Sequence, residues 1–197
     1  MSEVLSDTTL GQFLDGVAAR TPAPAAGAVT AVTVASAASL VAMAARFAQD
    51  EHGGDGDGSV AEAERVREEV LALGKADGEA YGAVLEALRL PRSQPQRREE
   101  IDRALERATE IPLRIARAGS QVGALAARLV REGNPSLAAD AQAAALLVQG
   151  ATAAAASLVR ANQSLGRLPE SWVGEAEAYA QDAKAAAAVL LGDEPPE

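Results

Sequence analysis

The chain has 197 residues, of which 48% are hydrophobic but only 3% aromatic, with no cysteine and a formal net charge of −10. That length suits one domain with a real core, and the shortage of aromatics means the core is built from Ala, Leu and Val. The acidic balance excludes a basic groove for nucleic acid, and the lack of thiols excludes a disulfide framework and thiolate chemistry.

Alanine is the best helix former, and no run of alternating β-branched residues occurs. The sequence therefore predicts an all-α fold: a single-domain bundle of about six helices, ordered over residues 8–191, with a frayed tail at 192–197. The first helix starts near Thr9, which has capping-box spacing to Gln12, and offers Leu10, Phe13, Leu14 and Val17 as an apolar face. Pro22 and Pro24 end it. A second helix runs from about Gly27 to Ala48, with Val29, Val32, Ser36, Leu40, Met43 and Phe47 as its stripe. The segment EHGGDGDG (51–58) predicts a loop, since its aspartates do not extend into a calcium-binding loop that ends in Glu.

The third helix, about Ser59 to Leu90, has a stripe of Val66, Val70, Leu73, Asp77, Tyr81, Val84 and Leu88, which places Asp77 on the inner face. The fourth, about Gln96 to Arg131, carries Ile101, Leu105, Ala108, Pro112, Ile115 and Val122 inward. Pro112 is expected to kink it, because the Ala108 carbonyl loses its helical donor. Gly133 stops that helix, and Asn134 with Pro135 suits a cap and first residue of the fifth. There Leu137, Asp140, Ala144, Leu147, Ala151, Leu158 and Asn162 share one face. A last helix spans about Glu170 to Leu191 and holds Trp172, Val173 and Tyr179.

Two stretches, Thr21–Ala45 and the run between Asp140 and Arg160, carry no charge and are long enough to cross a bilayer. Their Pro, Ser, Thr and Gln content and their bulk of Ala and Gly favour two central helices of a soluble bundle instead. Such helices leave apolar surface that a second copy would cover. Met1–Asp7 is polar and acidic, unlike a signal peptide, so the expected location is the cytoplasm and no membrane contact is expected.

The single histidine, His52, falls in the expected loop, and no phosphate-binding or dinucleotide fingerprint occurs. General acid/base work would fall to carboxylates, and the stripe aspartates Asp77 and Asp140 are the candidates. A structural role competes for each: an ion pair or cap for Asp77, a favourable helix-dipole position for Asp140. Asn162, also inward, strengthens the functional reading.

The order of motifs resembles a known family. TLGQFLDGVAARTPAPAAGAVTAV is similar to the opening of the cyclodeaminase/cyclohydrolase family, whose F-L-x-x-L/V-A helix leads into P-x-P-G-G-G-S and an Ala-rich helix ending near a Met. Pro22, Pro24, Gly27 and Met43 keep that frame. ADGEAYGAVLEALRLP, ALERATEIPLRIA and GNPSLAADAQAAALL resemble its later motifs, and Asn162 matches the closing Asn of N-V-x-I-N. The family includes the cyclodeaminase domain of formiminotransferase-cyclodeaminase and bacterial methenyltetrahydrofolate cyclohydrolase.

The resemblance implies an all-helical homodimer that binds a tetrahydrofolate derivative as substrate, with no metal and no tightly bound cofactor. It implies hydrolysis of 5,10-methenyltetrahydrofolate or loss of ammonia from 5-formiminotetrahydrofolate. Asp77 and Asp140 would be the acid/base residues, lining one cleft near Gly27; Pro24, Gly27, Tyr81, Asn134 and Asn162 would contact ligand. This chain departs from the pattern at Ala25, Ala26 and Ala28, which replace two glycines and a serine, and at Leu158, which replaces an Asn. Those losses of polarity define the alternative: a non-catalytic helical dimer on the same scaffold, its folate site degenerate, binding a small ligand or protein partner.

Overall fold

The computed structural model describes residues 8–52 and 58–191. Among the described residues there are six α-helices and no strand: α1 (Leu10–Ala18), α2 (Ala26–His52), α3 (Ser59–Arg89), α4 (Arg97–Glu132), α5 (Ala138–Gln163) and α6 (Ser171–Leu191). The expected all-α bundle is thus what the chain forms. α2 continues past the expected end at Ala48 to His52, and the remainder of the glycine-rich segment, like the tail, lies outside the described residues.

Local chemistry explains the ends. Thr9 closes α1 with a capping box, its hydroxyl accepting from the Gln12 N–H while the Gln12 side chain accepts from the Thr9 N–H. Gly58 precedes α3 with a φ of 79°, a left-handed conformation that glycine adopts without penalty. Asn134 accepts from the Ser136 N–H, but it caps a 3₁₀ turn (Pro135–Leu137) that feeds into α5 rather than α5 itself. At the other end of α4, Arg97 donates to the Leu88 and Leu90 carbonyls, which α3 leaves unpaired at its C-terminus.

The core is alanine and valine. Ala31, Ala37, Ala38, Ala116, Ala144 and Ala155 have no exposed surface, and Leu105 and Ile115 are the bulkiest wholly buried side chains. Such small residues let helices approach closely. At Gly119 an added Cβ would collide with the Thr152 hydroxyl, and at Gly123 it would touch Val148 and Ala183. α4 is the hub, packing against α2, α3, α5 and α6. α3 and α5 run antiparallel to it: Glu69 of α3 pairs with Arg114 at 2.9 Å, Arg128 reaches Ser59, and Thr152 of α5 meets Gly119.

Several expected faces are turned differently. α2 buries Ala31, Val34, Ala35, Ala38, Val41, Ala42 and Ala45, while its supposed inner stripe faces out, with Val29 38% and Phe47 53% exposed. On α5, Leu147 of the expected inner face is likewise exposed, beside Leu146. On α1 only Phe13 is buried; Leu10 and Leu14 are exposed. The physical reason is size. Where nearly every position is apolar, close packing draws alanines inward and pushes larger residues to whichever side has room.

Candidate functional site

The N-terminus of α2 is where the polar residues converge. The chain arrives through the Ala23–Pro24 peptide, which is cis, and begins to coil at Ala26. α3 crosses here, and its Asp77 carboxylate lies directly against the Gly27 backbone: a Cβ at Gly27 would fall on both carboxylate oxygens. Glycine is needed for space, because its φ is not in the left-handed region; Gly58 is the only described residue there. Ala25, Ala26 and Ala28 therefore sit in backbone that alanine tolerates.

Asp77 accepts a hydrogen bond from the Ala28 N–H, one of the donors a helix start leaves unpaired. Burial pushes its carboxyl above the ordinary aspartate range, and the Ala28 hydrogen bond opposes part of that rise. A carboxyl held in this way keeps its proton more readily than an ordinary aspartate, which suits an acid/base group. Beside it a cleft of about 340 Å³ opens between α1, the proline link and α3, lined by Phe13, Pro24, Ala28, Gly74, Lys75 and Gly78 among others. Lys75, which spacing arguments pass over because it sits off the apolar stripe, is the one lysine in this wall.

Asn162 has a structural task. Its side-chain amide donates to the Ala108 carbonyl at 3.2 Å, the carbonyl that Pro112 leaves without its helical donor. The contact also fixes the level of α5: Asn162 stands beside Ala108, and Ala76 of α3 borders the same groove as Arg107 and Ile111 of α4. Asp77 and Asn162 therefore belong to one end of the bundle. Tyr81 lies one turn beyond Asp77 and is 45% exposed, outside the buried stripe where the spacing placed it.

Asp140 does not join them. It lies in the first turn of α5, twenty-two residues before Asn162, or about 33 Å along the helix. Asn134 is farther still in the same direction, tied into the 3₁₀ turn. Within one chain the expected cleft with both aspartates near Gly27 is not formed. Helical periodicity reports the face of a residue and not its level along the bundle: α3 and α5 both run antiparallel to α4, but Asp77 lies in the C-terminal half of α3 and Asp140 in the first turn of α5.

Comparison with known proteins agrees with this architecture. The sequence model of the family described as formiminotransferase-cyclodeaminase matches residues 9–181. The methenyltetrahydrofolate cyclohydrolase of Methylorubrum extorquens is 30% identical over 163 residues, 78% of each chain. Mouse formimidoyltransferase-cyclodeaminase is 29% identical over 150 residues, which is 72% of this chain but 28% of that much longer protein. The crystal structure of formiminotetrahydrofolate cyclodeaminase from Thermotoga maritima superposes with a TM-score of 0.83 at 26% identity, covering 95% of this chain and 98% of the other. This chain belongs to the formiminotransferase-cyclodeaminase family.

Proposed function

We propose that the protein is a cytoplasmic, homodimeric enzyme of one-carbon metabolism that acts on a tetrahydrofolate derivative at the α2 N-terminus, with Asp77 as its proton-transferring group. The observation that supports this most is the half-buried Asp77 carboxyl, its pKa raised by burial, held against Gly27 and the Ala28 N–H. Two reactions fit a single carboxyl of this kind. Water adds to the electrophilic carbon of 5,10-methenyltetrahydrofolate and the ring opens to 10-formyltetrahydrofolate. Alternatively, N10 of 5-formiminotetrahydrofolate attacks the formimino carbon and ammonia leaves. In both, Asp77 takes a proton from the nucleophile and returns one to the departing nitrogen. Helix-start N–H groups not used by Asp77 would face the pteridine, and the adjoining cleft gives Lys75 a place beside an anionic portion of the ligand.

The test is loss of the 5,10-methenyltetrahydrofolate chromophore in one arm and ammonia release from 5-formiminotetrahydrofolate in the other, each with Asp77→Asn as control. Turnover in either arm that Asp77→Asn abolishes is the expected result. Absence of turnover in both, with no folate binding by calorimetry, removes the proposal. Folate binding without turnover favours the non-catalytic reading, which the apolar Leu158 and the alanines of the α2 start support.

A further inference from the structure

α3 meets the start of α2 around Asp77, and it meets α4 along a separate groove. In that groove lies a pocket of about 230 Å³, lined by Arg65 and Glu69 of α3 and by Arg114, Arg117, Ala118 and Gln121 of α4. Helical spacing builds it: Arg65 and Glu69 are one turn apart, and Arg114, Arg117 and Gln121 follow at steps of three and four on one face. Ala118, 2% exposed, forms the floor, and its small side chain leaves the space open. Glu69 precedes Asp77 by about 12 Å along α3, and it faces α4 where Asp77 faces α2.

The pocket inverts the charge of the chain. Acidic groups outnumber basic ones by 28 to 18 overall, whereas three guanidiniums and one carboxylate leave this pocket at +2. Elsewhere along the same groove the charges cancel. Glu79 and Glu110 stand against Arg107 and Arg114, and then Glu86 and Glu100 against Arg103 and Arg107. Glu69 spends both oxygens on two of the arginines: Oε1 accepts from Arg114 at 2.9 Å and Oε2 from Arg65 at 3.2 Å. That bridge neutralises one charge and holds two guanidiniums in place, each with most of its five N–H donors unspent. Arg117 has no hydrogen bond or ion pair among the described residues, and Gln121 adds a neutral amide.

Size narrows the ligand. Sites for drug-sized molecules run to about 300–1,000 Å³, so this pocket suits a small ion or head group and not a folate. Guanidiniums pair with oxyanions through parallel N–H donors, and three of them can share the several oxygens of one tetrahedral ion. We propose that the pocket between Arg65, Arg114 and Arg117 binds a phosphate dianion, free or as the terminal group of a phosphate ester. The charge of such a group matches the +2 of the pocket. Bound there, it ties α3 to α4 beside the Arg114–Glu69 pair. The inference is independent of the folate reading.

The experiment is calorimetry on the full chain, titrated with inorganic phosphate and, separately, with glycerol phosphate, against sodium chloride of equal ionic strength. Saturable binding of one phosphate per chain is expected, weakened about 10-fold or more in Arg117→Gln and in Arg114→Gln. Arg107→Gln, which alters the neighbouring stretch of the groove, should bind as the wild type does. Arg117→Gln breaks no protein contact among the described residues, so it should fold normally. Phosphate should raise the Tm of the wild type and leave that of Arg117→Gln unmoved. Glycerol phosphate binding as tightly as the free ion assigns the pocket to a phosphorylated molecule; its rejection assigns the pocket to the free ion. Binding that does not saturate, that chloride reproduces, or that Arg117→Gln and Arg107→Gln weaken alike overturns the proposal.

Discussion

The two ends of the bundle solve the problem of polar groups in different ways. At the Gly27 end each inward polar group is assigned to a backbone group nearby: Asp77 accepts from Ala28, and Asn162 donates to the carbonyl orphaned by Pro112. At the Asp140 end the carboxylate sits in the first turn of α5, where helix start and solvent both favour its charge. One end is built around its polar residues and the other merely accommodates one. An inward-facing aspartate in sequence therefore corresponds to two physically distinct objects, and substitutions should separate them.

The largest effect is expected at Asp77. Asp77→Asn keeps an oxygen for the Ala28 N–H but cannot exchange a proton, so turnover should fall by about 100-fold or more in either folate assay. Stability should move the other way. Because the folded-state pKa is raised, ionisation of Asp77 costs stability at every pH above its unfolded value. Asp77→Asn should melt higher than wild type at neutral pH, and the gap should close as pH falls through the folded pKa and vanish below the unfolded one. A gap that widens on acidification would show a pKa shift of the opposite sign.

Gly27→Val comes next. Its branched side chain would enter the space held by the Asp77 carboxylate and should cost about 1–3 kcal/mol in chemical denaturation. Gly82→Ala, on α3 at the same end, meets nothing within 4 Å and should instead stabilise by about 0.5–1 kcal/mol. If both behave alike, the close approach at Gly27 is not what distinguishes this end.

Asn162→Ala removes the donor to Ala108 and should cost about 1–3 kcal/mol, the range for a buried carbonyl left unpaired. Pro112→Ala restores the native helical donor to that carbonyl. In the Pro112→Ala background the Asn162→Ala cost should shrink by about 1 kcal/mol, measurable as a double-mutant cycle. Strict additivity would mean that Asn162 does not compensate for the proline. The smallest stability effect belongs to Asp140→Asn, about 0.3–1 kcal/mol from the lost helix-dipole interaction.

Much of this was legible in the sequence. The helix succession, the Thr9 cap, the buried stripe of α4 and the stranded Ala108 carbonyl all follow from spacing, propensity and proline chemistry, which are local. Three things were not. The α2 stripe was assigned inward because hydropathy was used to rank faces, whereas an alanine-rich helix ranks them by size. The Gly27–Asp77 contact joins residues fifty positions apart and has no periodic signature. The separation of Asp77 from Asp140 depends on the level of each helix along the bundle, which only tertiary packing sets.

The alanine core also sets the direction in which this protein can drift. Where a typical interior offers large side chains to truncate, Ala31, Ala116, Ala144 and Ala155 are wholly buried and have almost nothing to lose. Growth at those positions is a different matter, since each added methylene must displace a helix and costs about 1–3 kcal/mol. Neutral variation is thereby channelled to the outward positions and to the few Leu, Ile and Val sites, and the spacing between helices is held nearly fixed. A lineage with such an interior can exchange polar residues outside the core while the frame that positions them stays the same.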